Sequence, residues 1–204
     1  MTTAPVTTRS SRQRIGVIAL ATVPTIVVLL VGLTHPTRLT EQSAEWWRNL
    51  HIILLPVFPF MGLAPWLVAR AVDRRLGWVA AIGGFGFATC YTSLDVLAGI
   101  GGGAMMLGGE SDASGPLFRI GNQLAQVGVY SLVGATLVAS IAAIVRARLV
   151  AIPGALLALV GAYLIADGHV YFPQGTLALA LVAGGYAILA TLVTRPASAA
   201  SRLE

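Results

Sequence analysis

The sequence predicts an all-α integral membrane protein built as a bundle of six transmembrane helices. Hydrophobic residues make up 56% of the chain and charged residues only 10%, whereas about a quarter of the residues of a typical soluble domain are charged. The mean hydropathy is +0.82. The apolar residues are also gathered into segments of about 20 residues, the length that an α-helix needs to cross a bilayer.

Six such segments follow one another along the chain. The alternating segments of about ten residues that are typical of an outer-membrane barrel do not occur, so helices must satisfy the backbone polar groups in lipid. We therefore expect a basic tail at 1–14, one transmembrane domain at 15–195 and a second tail at 196–204, whose last residues resemble a vector-derived extension. The predicted spans are 15–34, 51–72, 76–98, 120–145, 149–166 and 176–193.

The placement of the arginines predicts the orientation. Basic residues are enriched on the cytoplasmic side of membrane proteins, so we expect both termini in the cytoplasm and the protein in the cytoplasmic membrane of a bacterium. A pI of 10.1 does not indicate a nucleic-acid partner, because the arginines lie at helix ends. The predicted inner side carries Arg9, Arg12, Arg14, Arg70, Arg74, Arg75, Arg146, Arg148 and Arg195, and the outer side Arg38, Arg48 and Arg119.

Local sequence features predict departures from straight spans. Span two contains three prolines, which remove backbone donors and should kink or unwind the helix. The outer loop before it is predicted to form an interfacial helix with Trp46 and Trp47 at the headgroup level. The glycine-rich outer loop 99–118 is predicted to be a linker or a lid. The prolines are Pro56, Pro59 and Pro65.

Span five carries a ridge of glycines at seven-residue spacing. Where the segment is helical, this spacing puts the glycines on one nearly straight line, so another helix can approach closely. The bilayer is one expected partner of the protein, and a second copy of the chain, bound through the ridge, is another. By contrast, spans one and six have few polar residues in their middles, so they are expected to face lipid. The ridge is formed by Gly154, Gly161, Gly168 and Gly175.

Polar residues of spans two to five are predicted to meet near the outer surface. On span four, polar residues follow the helical spacing of one face. His51 begins span two, Asp95 lies in the outer third of span three, and Asp167 and His169 end span five. A shared outer pocket is the simplest arrangement. Its candidate ligand-binding residues are His51, Asp95, Arg119, Asn122, Gln123, Gln126, Asp167 and His169.

Each of these residues also has an ordinary structural interpretation. Histidines are common at the membrane interface, and amides on a helix face can make interhelical hydrogen bonds worth about 0.6 kcal/mol each. The convergence of all of them at one depth is more informative than any single residue.

The leading hypothesis is therefore a pocket, open to the extracytoplasmic side, that binds a small ligand, a lipid headgroup or a metal. The second is a metal-dependent enzyme in which His51 and His169, with one or both of Asp95 and Asp167, hold zinc, whose bound water attacks a lipid or a peptide. Further alternatives are a haem or quinone protein with the two histidines as axial ligands, a transporter, and a structural subunit.

Common catalytic motifs are missing from the sequence. The GxGxxA match at 99–104 follows no strand, so it does not indicate a dinucleotide site. P-loop, HExxH and GxSxG motifs do not occur. The single cysteine, Cys90, excludes an intrachain disulfide and a CxxC metal site.

Overall fold

The computed structural model describes residues 10–196, and every regular element within that range is helical. The predicted all-α class is therefore confirmed. Residues 1–9 and 197–204, which make up most of the two predicted tails, lie outside the described residues.

The α-helices of this range differ widely in length, from 4 to 34 residues. A π-helical segment, Asp95–Gly101, joins two of the α-helices without a loop. Between residues 10 and 196 the helices are α1 (Ser11–Gly32), α2 (Ala44–Leu54), α3 (Phe58–Met61), α4 (Leu63–Val72), α5 (Arg74–Leu94), α6 (Gly102–Leu107), α7 (Ser114–Ala147), α8 (Ile152–Gly168) and α9 (Gln174–Thr194).

Several of these helices are long and apolar enough to cross a membrane. Four continuous helical stretches have at least 18 residues and the hydropathy of a membrane span. A fifth is added when α2 and the bent continuation α3–α4 are counted together as one span. These are the features of a multipass membrane protein. The four stretches are Ser11–Gly32, Arg74–Leu107, Ser111–Gly168 and Gln174–Thr194.

The longest stretch, Ser111–Gly168, contains both predicted spans four and five. Its direction changes at Arg148, which ends α7 with a positive φ of 59°. A short 3₁₀ turn, Arg148–Ala151, follows and leads into α8. Because α7 and α8 pack against each other, this stretch folds back on itself.

The predicted break in span two is confirmed. The helix is interrupted after Leu54, and the two parts are bent by 45° relative to each other. Pro56 lies in the break and Pro59 in the first turn of α3, where the missing backbone donors interrupt the helical ladder.

The predicted loop at 99–118 is much shorter in the structure, where only residues 108–113 of this range lie outside the α- and π-helical segments. The helical path continues from α5 through the π-helical segment to Leu107, and α7 begins at Ser114. Glycine is a weak helix former in water, but here it permits close packing: a Cβ at Gly103 would lie 2.8 Å from the Cβ of Arg48 on α2. Packing between α6 and α2 therefore outweighs the low propensity.

The expectation that span six faces lipid is also wrong. About 56% of the apolar window of α9 is buried inside the protein, against 28% for α1. The helix packs against α1 and α8, and the Tyr186 hydroxyl makes a buried hydrogen bond of 2.8 Å with Thr136 on α7. An apolar composition cannot distinguish a lipid-facing helix from a central one, because both environments are apolar.

The glycine ridge packs within the chain. A Cβ at Gly154 would lie 2.8 Å from Ile188, and a Cβ at Gly161 would lie 2.6 Å from the carbonyl oxygen of Ala178. The helix that approaches these two glycines is therefore α9 of the same chain. Self-association through the ridge stays an untested prediction.

We expect Gly161→Leu to lower the thermal unfolding temperature in detergent. The new side chain would meet the backbone of α9, and overpacking of this kind costs about 1–3 kcal/mol or more. Gly134→Leu is the matched control, because a Cβ at Gly134 meets nothing within 4 Å. Equal unfolding temperatures for the two variants would contradict the packing described for α8 and α9.

Candidate metal centre

The three histidines of this chain meet at one point of the structure. One ring nitrogen from each of His35, His51 and His169 lies within 4.8 Å of the other two. Among residues 10–196 this is the one group of three or more potential metal ligands that meets this distance limit. The sequence contains three histidines in all, so the cluster uses every one of them.

Each histidine comes from a different part of the fold. His35 follows α1, His51 lies in the last turn of α2, and His169 follows the last residue of α8. The cluster therefore forms only when the ends of three helices come together. His35 and His51 are buried, with 6% and 4% of their surface exposed.

His51 is fixed by its own helix and by the π-helical segment. Its Nδ1 lies 2.6 Å from the carbonyl oxygen of Trp47, one turn earlier. A carbonyl oxygen only accepts hydrogen bonds, so Nδ1 carries the proton and Nε2 keeps its lone pair. Gly99 faces the imidazole ring, and a Cβ at that position would overlap it.

His35 is held in the same way. Its Nδ1 donates to the carbonyl oxygen of Pro36 at 2.7 Å, so its Nε2 is also an acceptor. Trp47 and Tyr171 pack edge-on against the ring, each with a centroid separation of 4.8 Å. Burial lowers the pKa of His35 to about 4, so the imidazole is neutral at pH 7, the form that binds metals.

The two acceptor nitrogens face each other. His35 Nε2 lies 3.4 Å from His51 Nε2. With tetrahedral angles and Zn–N bonds of about 2.0–2.1 Å, two ligands of one zinc ion stand about 3.3 to 3.4 Å apart. The separation between the two nitrogens is therefore that of two ligands of one ion.

His169 enters the cluster through an unusual backbone. Its φ is +45°, in a region that non-glycine residues seldom adopt and that costs about 1–3 kcal/mol. Its Nδ1 is hydrogen-bonded to the hydroxyl of Tyr91 on α5, and in the tautomer that donates from Nδ1 to this hydroxyl, Nε2 keeps the lone pair that a metal needs. A second partner that orients the ring in this way is typical of metal-binding histidines.

A buried carboxylate lies beside the histidines. Asp95 begins the π-helical segment, is 1% exposed, and has its Oδ1 3.9 Å from His51 Nε2. Neither carboxylate oxygen has a hydrogen-bond partner within the part of the chain that the structure describes. A buried carboxylate without a partner is costly, and a cation between it and His51 would remove that cost.

A cavity of about 420 Å³ adjoins the cluster. His51 and His169 line it, whereas His35 and Asp95 do not. Its polar wall includes the amides of Asn122 and Gln126 on α7. The apolar wall is formed by Leu94, Ala98, Phe118, Ala125, Val129 and Ile165.

Three of the residues predicted from sequence come together around the histidine cluster, namely His51, Asp95 and His169. Three others line the cavity and two do not. Asn122, Gln126 and Asp167 belong to the cavity wall, and all three are exposed. Arg119 and Gln123 are exposed and lie outside that wall.

Two of these residues have other roles in the structure. Gln126 donates from Nε2 to the carbonyl oxygen of Ala166 at 3.1 Å, which is the interhelical bonding that sequence analysis also considered. Asp167, predicted as a possible metal ligand, is not part of the histidine cluster. Its carboxylate lies at the cavity wall instead.

The role of His35 and the buried position of Trp47 were not predicted from the sequence. His35 lies in a loop without periodicity, so no helical register could assign it to the site. The available signal was that the chain has three histidines and all fall in its predicted outer half. Trp47, predicted at the interface with Trp46, is 3% exposed and donates from Nε1 to the carbonyl oxygen of Ala98 at 3.1 Å.

Comparison with protein-family models, with curated proteins and with solved structures finds no match for this chain. Its function is therefore inferred from the geometry of the site.

We expect Gly99→Ala to weaken the binding of Zn²⁺ by at least about tenfold, because the new methyl group displaces the imidazole of His51. Competition with a chromophoric chelator measures this affinity. Gly108→Ala is the control, since a Cβ at Gly108 makes ordinary contacts of 3.4 Å or more. Unchanged zinc affinity in Gly99→Ala would show that the position of His51 does not matter for metal binding.

Proposed function

We propose that this chain is a multipass membrane protein that binds one divalent transition-metal ion with His35, His51 and His169. The ion is Zn²⁺ or a metal of similar preference. In this proposal Asp95 is the fourth protein ligand or the carboxylate that compensates the charge of the ion. The metal ion is then the species that binds in the outer pocket predicted from the sequence.

The separation of His35 Nε2 and His51 Nε2 carries this proposal. Both nitrogens are acceptors because the other nitrogen of each ring donates to a backbone carbonyl. Two lone pairs at 3.4 Å repel each other. A metal ion bound by both would turn this repulsion into two coordinate bonds.

The surrounding hydrogen bonds also support the proposal. Metal-binding histidines usually bond their second nitrogen to a backbone carbonyl or another polar group, which fixes the tautomer and the orientation of the ring. Trp47, Pro36 and Tyr91 provide these partners for the three rings.

The ligand types fit zinc and other transition metals that bind imidazole. Imidazole suits Zn²⁺, Cu²⁺, Fe²⁺ and Ni²⁺, and a carboxylate oxygen is compatible with zinc. The haem alternative is less well supported, because two axial nitrogens must lie on opposite faces of a porphyrin. The axial ligands in that alternative are His51 and His169, and His35 Nε2, 3.4 Å from His51 Nε2, stands where the porphyrin would have to lie.

We also propose the finer topology that the arginines suggest. The chain crosses the cytoplasmic membrane of a bacterium six times, with α7 and α8 as separate crossings and both termini in the cytoplasm. The turn at Arg148 and the packing of α7 against α8 support two crossings in the stretch 111–168. With this topology the metal lies at the extracytoplasmic end of the bundle.

Purified protein is expected to contain about one zinc ion per chain, measured by elemental analysis after extensive dialysis. His35→Ala should lower zinc affinity by more than about 100-fold, because it removes a ligand and not only an orienting partner. The matched control is Glu110→Ala, an exposed acidic residue outside the site. Zinc content that is equal in His35→Ala and wild type would contradict the proposal.

A second candidate function is that of a metal-dependent enzyme that cleaves a lipid or a peptide. The position of Asp95 favours it: a carboxylate whose two oxygens have no partner among residues 10–196, close to the ligands, can accept a proton from a metal-bound water. In this alternative Asp95 acts as the general base and the three histidines hold the ion.

The variant Asp95→Asn distinguishes the two roles of this carboxylate. If Asp95 is a ligand, zinc affinity falls by more than about tenfold. If Asp95 is a general base, zinc affinity stays within a few-fold and hydrolysis of a substrate falls by about 10²-fold or more. Asp112→Asn, an exposed residue outside the cluster, is the control for both measurements.

A further inference from the structure

We infer that the bound metal keeps one coordination position that faces the cavity and takes an oxygen or nitrogen donor from a small molecule. This inference rests on the proposed function, because it describes the free side of the same ion. Its ligand is a molecule with a hydroxyl, carboxylate or phosphate group at one end and an apolar body.

The arrangement of the ligands around the cavity supports an open side. His51 and His169 belong to the cavity wall, whereas His35 and Asp95 lie outside it. An ion held by the three histidines, with Asp95 compensating its charge and not bound as a fourth ligand, is therefore approached from the cavity between His51 and His169. Structural zinc sites are closed by four protein ligands, while reactive sites keep one position for water or substrate.

The size and wall of the cavity indicate the class of ligand. A volume of about 420 Å³ lies within the range of small-molecule sites, which combine an apolar lining with a few placed polar groups. Leu94, Val129 and Ile165 contribute apolar surface. The amide of Asn122 offers both a donor and an acceptor to groups next to the coordinated atom.

The exposure of the polar wall indicates the direction of entry. Asn122 and Gln126 on α7 and Asp167 at the end of α8 are exposed and also line the cavity. The opening therefore lies where α7 passes the end of α8. A molecule that enters there places its polar end toward the histidines and its apolar body against the inner wall.

Cobalt substitution with azide as a probe tests this inference. Co²⁺ replaces zinc and its visible absorption reports changes in coordination. In detergent, we expect azide to shift the visible absorption bands of the Co²⁺-loaded protein. The shift should reach a plateau as the azide concentration is raised. Ala125→Phe fills the cavity next to α7 and should weaken the azide response at least tenfold while the cobalt content is unchanged.

Two further variants complete the experiment. Leu137→Phe adds a similar ring on an exposed position of α7 away from the cavity and should respond like wild type. If Ala125→Phe does not fold, Asn122→Phe narrows the cavity from an exposed position of its wall.

The outcomes separate this inference from the proposed function. Cobalt binding with a saturable azide shift that the cavity variants weaken supports both. Cobalt binding without any effect of azide overturns the open position and leaves the metal site standing. Failure of the wild-type protein to bind cobalt and zinc overturns the proposed function and this inference with it.

Discussion

His35 and His51 direct Nε2 atoms at each other across 3.4 Å, and each ring has already used its other nitrogen to donate to a backbone carbonyl. This arrangement is stable when a cation lies between the two nitrogens, because neither has a proton to give the other. The carboxyl group of Asp95, whose oxygens have no hydrogen-bond partner among residues 10–196, lies next to them. In the proposed function these groups form the site of a positive ion.

The fold around the site serves to hold these groups. The bend between α2 and α3 ends the helix that carries His51 just after that residue. The π-helical segment brings the side chain of Asp95 and the bare backbone of Gly99 against His51. Inserted π turns often occur at functional sites, and here the segment provides the carboxylate and the space for the imidazole.

The positive φ of His169 fits the same interpretation. Backbone strain of about 1–3 kcal/mol persists where the surroundings fix the residue, and such residues cluster at functional sites. The hydrogen bond between His169 Nδ1 and the Tyr91 hydroxyl and the close packing of Gly168 against the backbone of Gly175 fix the turn after α8. His169 thereby reaches the cluster although it lies beyond the end of its helix.

Much of the architecture follows from composition and spacing. The helical class and the break at the prolines follow from hydropathy and from the missing donors of Pro56 and Pro59. The continuous helix through 99–107 did not follow, because glycine propensity measured in water misleads where packing decides. The central position of α9 did not follow either, because an apolar helix is compatible with lipid and with a protein interior.

The site was predictable in part for a physical reason. His51, Asp95 and His169 lie on or next to helices, so the depth of each could be estimated from the helical rise. His35 lies in a loop, where depth and direction depend on tertiary contacts with Trp47 and Tyr171. Histidine count and outer location were the only signals in the sequence for this residue.

X-ray absorption spectroscopy of the zinc-loaded protein tests the central claim most directly, because it reports the atoms bound to the metal without a substrate. The account predicts a first shell of nitrogen and oxygen at about 2.0–2.1 Å with imidazole scattering from three rings. A shell that contains sulfur at about 2.3 Å, or one without imidazole scattering, would contradict it.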